Sequence, residues 1–466
     1  MVKSESWFQN KKVLVFGLGL HGGGLAVVNW LVKHGAQVIV TDKKNKIELK
    51  SSLKFLSKKN VELYLGSEPS FSLLSSIDLI IQNPGVPNEH KFLQQAKRKK
   101  IPITNEAGLF FSLCKSKIIA ITGSKGKSTT TDLLGNIAKY KAKNVFVGGN
   151  IRTNAMFSFL DKINKKSLII LELSSWQLEG LQTIKRSPAV AVVTNIQPEH
   201  LNRYKSYAGY VQAKSYICRW QKSSDHLILN YDNKEASKLS FLTKAKVYWF
   251  SLEKKISRGV FLKDNCIYWK NNKFIEKVIS IDLIKLKGNH NLQNVMAAVC
   301  ASKILGFSNL QIQNVLKRYK GLPDRLELIR TYKGINFIND TTATAPIATI
   351  SALQTLSVKI ILLAGGSSKK LPVKELARWI KNKVSFCLLF KGQGSQELVR
   401  ALKEINFDEN RLFSDFSDMK TIVKTAWKLA KKNDVVLLSP GFASFSNFIN
   451  EFDRGEQFKK EVKLLL

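Results

Sequence analysis

Short apolar runs rich in β-branched residues alternate with amphipathic stretches along the whole chain. The first, from Lys12, ends in a glycine turn, and others follow at Val38 to Asp42 and Ile77 to Asn83. A second series opens with the run from Lys117 and continues to about Gly321. The third begins near Leu322, with strands expected at Ile335–Asn339, Ile360–Leu363, Phe386–Phe390 and Val435–Ser439. Strand, amphipathic connection, strand is the rhythm of parallel α/β units. The 466 residues exceed one ordinary core, and ~150 residues per domain suggests three. Runs such as Ser167–Leu173 and Lys359–Ala364 fall far short of the ~20 residues of a membrane span. Because Val13–Leu20 runs into glycines rather than a small-residue cleavage site, it reads as a first strand and not a signal peptide.

Charge changes this picture little. The formal net charge is +39, and a basic chain can mean nucleic acid or a membrane surface. Here the lysines are spread over the whole length in short clusters such as 97–100, with neither an arginine-rich arm nor an aromatic-interleaved basic stripe. A general lysine bias accounts for them, so no nucleic-acid partner is expected. Cys114, Cys218, Cys266, Cys300 and Cys387 are scattered, odd in number and free of CxxC pairs. That pattern indicates free thiols in a reducing, cytoplasmic setting.

Three constellations carry chemistry. Gly123-Ser124-Lys125-Gly126-Lys127-Ser128, followed by Thr129, stands between a strand and a helix start. Glycines there let backbone N–H groups cradle phosphates at a positive helix end; Lys127 can reach terminal phosphates and Ser128 can ligate Mg²⁺. Two residues separate the first glycine from Gly-Lys, against four in the common phosphate loop. The second constellation, Gly17-Leu18-Gly19-Leu20-His21-Gly22, has Asp42 at the end of the next strand. Alone it is a dinucleotide fingerprint, which admits a nicotinamide dehydrogenase with Asp42 on a ribose, or a bare strand–helix turn. Third, Glu172 closes one apolar strand and His200 follows the next. Strand C-terminal ends face the ligand crevice of an open parallel sheet, so both can reach a metal shared with ATP phosphates. Lys214 reads by spacing alone as a surface charge.

The segments TGSKGKS, LELSSWQLE, VTNIQPEHLNRY, GNHNLQNVMAA, GLPDRLE, INDTTAT and LLSPGFASF, in that order, resemble the signatures of the Mur ligases over nearly the whole chain. GLGLHG and DLIIQNPGVP are similar to the branch that adds glutamate to UDP-N-acetylmuramoyl-L-alanine. The resemblance implies an α/β fold of three domains: a Rossmann-like UDP-sugar-binding domain over 1–111, a central P-loop ATPase-type parallel sheet over 112–321, and a Rossmann-like amino-acid-binding domain over 322–466. It implies ATP and two Mg²⁺ ions. Residues 123–129 hold the nucleotide phosphates, with Lys127 on them, and Ser128, Glu172 and His200 ligate Mg²⁺. Lys214 matches a lysine modified to a carbamate, and with Lys127, Glu172 and His200 it forms the implied catalytic set. Asn291 and Asn294 match positions around the adenine, and Arg325 and Asp340 match positions near the ribose and phosphates. Gly19, Leu20, His21 and Asp42, the last facing uracil, fall at the UDP-sugar end, and Asn150 at the sugar. Ser444 and Arg454 are candidates for the amino-acid end. The implied reaction activates the alanyl carboxylate as an acyl phosphate, which the amine of glutamate then attacks, in a cytoplasmic monomer.

Departures gather in the third block. Thr341-Thr342 stand where the family carries Ser-Lys, and Ser367-Ser368 replace a frequent Asp-Lys, although Lys369 and Lys370 follow. Glu451-Phe452 shifts an aromatic by one residue. D-glutamate is the expected amino acid, with L-glutamate or a different ligase of the superfamily as the alternative. Outside the family, a dehydrogenase on Gly17–Asp42 and a basic nucleic-acid-binding ATPase are the rivals.

Overall fold

The computed structural model describes residues 4–465 apart from 20–21, 58–59, 152–153, 200–202, 205, 273, 287, 357 and 370. Two compact units result, Met1–Tyr319 and Lys320–Leu466. They contain three sheets, one for each α/β domain.

The first sheet of the larger unit comprises β1 (Lys12–Phe16), β2 (Gln37–Asp42), β3 (Val61–Leu65), β4 (Leu79–Gln82) and β5 (Ile103–Thr104). Its order is β3-β2-β1-β4-β5 and every pairing is parallel. Apolar cores cover both faces of β1, which is why its sequence is a continuous apolar run rather than an alternation. Strand order reverses at β1, so the glycine turn after it opens at a topological switch point.

The second sheet holds β6 (Ile118–Thr122), β7 (Val145–Gly149), β8 (Leu168–Glu172), β9 (Val190–Val193), β10 (His226–Asn230), β11 (Lys246–Ser251), β12 (Gly259–Lys263), β13 (Cys266–Asn271) and β14 (Phe274–Ser280). They lie in the order β14-β13-β12-β11-β10-β9-β6-β8-β7. β6 sits between β8 and β9, a second switch point, and the phosphate loop leaves its C-terminal end. On one face pack the helices Lys127–Lys139 and Asn289–Ile304 through Leu133, Leu134, Ile137, Val295, Met296 and Val299. The expected all-parallel rhythm fails at the far edge, where β12, β13 and β14 pair antiparallel. The cause is the turn chemistry. Asp264 and Asn265 both have positive φ, 47° and 54°, the geometry of a two-residue hairpin whose twist matches its strands. The helix Glu106–Leu113 joins the two sheets: Phe110 and Phe111 enter a core shared with residues of both. It approaches the helix Ser175–Ile184 so closely that a Cβ on Gly108 would stand 2.7 Å from the Gly180 carbonyl oxygen.

The smaller unit has β15 (Glu327–Tyr332), β16 (Ile335–Asn339), β17 (Ile360–Gly365), β18 (Val384–Phe390), β19 (Leu412–Phe416) and β20 (Val435–Leu438), ordered β15-β16-β20-β17-β18-β19. The four expected strands are present. β15 and β19 were not expected: they are half-exposed edge strands without a continuous apolar run. β15 is antiparallel to β16 across a Lys333-Gly334 turn with φ of 47° and 78°. Among the described residues no helix is long and apolar enough to cross a membrane, and all five cysteines are buried and free.

Candidate active site

β6 delivers the phosphate loop into the switch-point crevice. Gly123 (φ 155°) and Gly126 (φ 82°) are required twice over, by conformation and by space. A Cβ at Gly123 would lie 1.9 Å from Thr194 Oγ1, and one at Gly126 would lie 2.0 Å from Asn294 Oδ1. The exit of β9 sets the loop's shape. Thr194 Oγ1 donates to the Lys125 carbonyl at 2.6 Å, and Asn195 Oδ1 accepts from the Lys125 amide at 2.9 Å. Ser124 Oγ shares a hydrogen bond of 2.9 Å with the Tyr210 hydroxyl and accepts the Gln197 amide at 2.9 Å. Thr194, Asn195 and Tyr210 were not singled out from the sequence, since only their place in space ties them to the loop. Ser128 and Thr129 lie half-buried in the first turn of the following helix, and Lys127 Nζ folds back to donate to the carbonyls of Gly123 (3.0 Å) and Ser124 (2.9 Å).

Glu172, at the end of β8, is only 2% exposed. Its Oε1 accepts from Asn150 Nδ2 at 3.0 Å, so the structure brings together two residues separated by 22 positions. Oε2 is buried with no hydrogen-bond partner among the described residues. A buried carboxylate oxygen left unpaired is costly unless a cation completes it. This orphan fits the metal-ligand role. His200 lies outside the described residues, and among those described no group of three His, Cys, Asp or Glu is placed to hold a metal.

Lys214 is no surface charge: it is 1% exposed in the helix Tyr207–Ser215. Its Nζ donates to the Gly123 carbonyl at 2.8 Å and lies 4.7 Å from the centre of the Tyr210 ring. Burial, and then repulsion by Lys127, hold the amine well below the ordinary lysine range, against the opposing pull of Glu199 and Glu172. Such an amine is neutral often enough to be a nucleophile.

Asn294 is buried with its side chain against Gly126, at the phosphate end of the loop, and Asn291 is half-buried in the first turn of the same helix. At the other crevice, Asp42 Oδ2 accepts the amides of Leu18 (2.9 Å) and Gly19 (3.1 Å), while Oδ1 accepts Lys44 N at 3.0 Å. Its carboxylate therefore shapes the glycine turn before it meets any ligand. Leu20 and His21 lie outside the described residues.

In the smaller unit, Arg325 is exposed and Asp340 is buried. Asp340 Oδ2 accepts the Ser439 hydroxyl at 2.7 Å and Oδ1 accepts Leu326 N at 3.3 Å. Burial outweighs those bonds and pushes its carboxyl up to about 7. Arg454 is fully enclosed, at 0% exposure. Its Nε donates to Thr341 Oγ1 (3.1 Å) and its terminal nitrogens to the carbonyls of Thr341 (2.9 Å) and Phe442 (3.4 Å). Burial lowers it to about 10. The guanidinium thus braces the loop after β16, a role that spacing alone did not show. Ser444 Oγ is buried without a partner among the described residues, as a ligand-facing hydroxyl would be. Lys369 Nζ donates to Thr344 Oγ1 at 3.0 Å, and Lys370 lies outside the described residues.

Family models for the Mur ligase middle domain, the MurD-like N-terminal domain and the Mur ligase glutamate ligase domain match residues 121–302, 11–105 and 324–442. With relatives at this similarity across its length, the chain belongs to the Mur ligase family. A UDP-N-acetylmuramoylalanine--D-glutamate ligase of Roseiflexus sp. (strain RS-1) is 36% identical, with 97% of this chain and 98% of that one covered. The enzyme of the same name from Pelotomaculum thermopropionicum is also 36% identical, covering 98% of each. Among solved structures, the UDP-N-acetylmuramate-alanine ligase MurC of Thermotoga maritima has a TM-score of 0.60 at 18% identity, covering 97% of this chain and 99% of that one. The MurF ligase of Thermotoga maritima in complex with ADP gives 0.54 at 19%, covering 99% and 97%. These last two share the fold.

Proposed function

We propose that the chain couples ATP hydrolysis to amide formation, joining D-glutamate to UDP-N-acetylmuramoyl-L-alanine in the synthesis of peptidoglycan precursors. The observation that carries the reading is the orphaned Glu172 Oε2 beside a phosphate cradle whose Gly123 carbonyl is held by a buried lysine. Residues 123–129 hold the ATP phosphates, and Lys127 turns from the loop carbonyls to the phosphoryl oxygens. Glu172, Ser128 and His200 would hold Mg²⁺, which would offset charge on the transferring phosphoryl group. The alanyl carboxylate attacks the γ-phosphate and ADP leaves; the amine of glutamate then attacks the acyl phosphate and phosphate leaves. Lys214, through its neutral amine, would add to the carbon of CO₂ and release a proton, giving an anionic carbamate in place of a cation.

In this reading Asn291 and Asn294 are assigned to the adenine, and Arg325 and Asp340 to the ribose and phosphates of ATP. The turn holding Gly19, Leu20, His21 and Asp42 takes the uridine diphosphate, and Asn150 takes the sugar. Ser444 receives the amino acid, with Arg454 bracing its loop. Domains at 1–111, 112–321 and 322–466 serve the UDP-sugar, ATP and glutamate respectively, in a cytoplasmic monomer. The test is phosphate release from ATP and Mg²⁺ with the UDP-sugar precursor, comparing D-glutamate, L-glutamate and no amino acid. Release requiring precursor and D-glutamate supports the reading. Release with L-glutamate alone transfers the mechanism to the other isomer, and release with neither overturns the substrate assignment.

A further inference from the structure

Arg325 sits in an unusual piece of backbone. Its neighbours on both sides, Asp324 (φ 63°) and Leu326 (φ 42°), occupy the left-handed region, which non-glycine residues rarely enter. Strain of this kind persists only where the surroundings over-determine it, and it gathers at functional positions. The surroundings here are explicit. Asp324 Oδ1 accepts from Asn339 Nδ2 at 2.8 Å and pairs with Lys459 Nζ at 3.0 Å. The Asp324 amide donates to Glu327 Oε2 at 2.8 Å, and that oxygen lies 3.2 Å from Lys459 Nζ. The Asp324 carbonyl accepts the Thr342 hydroxyl at 2.9 Å, and Leu326 N is held by Asp340. Glu456 Oε1 is a third carboxylate on Lys459, at 3.0 Å. The helix Glu451–Lys463 brings the ammonium in at close range: a Cβ on Gly455 would stand 2.8 Å from Asp324 Oδ1.

We infer that Lys459 is a positioning residue for Arg325: one largely enclosed ammonium holds three carboxylates around the strained turn that presents the exposed guanidinium. Without it, Asp324, Glu327 and Glu456 repel one another, the turn relaxes toward ordinary φ, and Arg325 is re-aimed. The inference rests on the reading above, in which Arg325 meets ATP.

Steady-state kinetics of the full chain test it. Lys459→Met is expected to raise KM for ATP about tenfold with kcat changed less than twofold, since small displacements of a positioned group have large effects. Lys459→Arg restores KM, and Lys460→Met, on an exposed neighbour, leaves it unchanged. In an Arg325→Ala background Lys459→Met adds nothing further, the non-additivity of one residue acting through another. A lowered Tm with unchanged KM, or full additivity in the double variant, overturns the inference while the ATP reading stands. An unchanged KM in Arg325→Ala removes the ATP reading of Arg325, and the inference with it. Should Lys459→Met not fold, Asp324→Asn, which leaves the backbone bonds of the turn in place, reads the same KM.

Discussion

The phosphate-loop region of the larger unit and the strand-end loops of the smaller one bury charge in opposite ways. In the first, the buried groups are unfinished. Among the described residues Glu172 keeps an oxygen without a partner, and Lys214 is pushed toward its neutral form. In the second, the buried groups are largely finished. Arg454 is bonded to a hydroxyl and two carbonyls, and Asp340 to a hydroxyl and an amide. A buried polar atom costs free energy unless something satisfies it. The first region therefore has room for a ligand to complete it, and the second is a scaffold that presents exposed groups such as Arg325 and Lys369, with the buried Ser444 hydroxyl, unpartnered among the described residues, as an exception. Charge at a site and charge that holds a site are told apart by whether their partners are already in the chain.

Breaking the unfinished side has the largest expected effect. Glu172→Gln keeps the shape and the Asn150 contact but removes the anionic oxygen. ATP-dependent phosphate release should fall by roughly 10²-fold or more, with Tm unchanged or raised, because an anionic ligand for the charge-offsetting metal is lost. A fall in Tm with activity retained would make Glu172 structural and end the contrast.

The finished side should answer in stability instead. Arg454→Met strands the Thr341 carbonyl and hydroxyl bonds in a dry interior, at a cost of about 3 kcal/mol in the smaller unit. Denaturant unfolding measures it. A stable variant with impaired glutamate dependence would show that the guanidinium acts on ligand and does not brace the loop.

The smallest effect is a slope with pH. Burial raises the Asp340 carboxyl in the smaller unit, and Glu106 in the larger, to about 7. Unfolded, such carboxyls release their protons near ~4, so between there and 7 the folded chain binds more protons than the unfolded one. Their contribution to stability is therefore lost as pH rises through that window, and is greatest at its acid end. Unfolding followed from pH 5 to 8 should show Asp340→Asn flattening the slope of the smaller unit and Glu106→Gln that of the larger. An unaltered slope in either variant places the titration elsewhere.

Much of this was legible in one dimension. Apolar runs mark β1, β6, β8, β16, β17 and β20 because a strand covered on both faces needs nothing but apolar residues in sequence. Gly123-Ser-Lys-Gly-Lys-Ser marks its own loop, since the glycines, the lysine and the helix start are contiguous. Glu172 was legible for the same reason, as the acid that ends an apolar strand. The antiparallel edge at β12–β14 was hidden because an apolar run carries no direction; at β12–β13 it is the paired positive-φ residues Asp264-Asn265 that turn the chain back.

What the sequence by itself determined was the order of strands along the chain, the phosphate loop and the family. Tertiary structure decided which charges are in use. Lys214 looked like a solvated helix lysine until its amine was found on the carbonyl of Gly123, 91 residues away. Arg454 was read only as a candidate for the amino-acid end, and its bond to Thr341, 113 residues away, is what ties it to the loop after β16. Local pattern sets secondary structure because helices and strands satisfy their own backbones. Burial and protonation depend on which distant groups share a low-dielectric space, and only the packed chain specifies that.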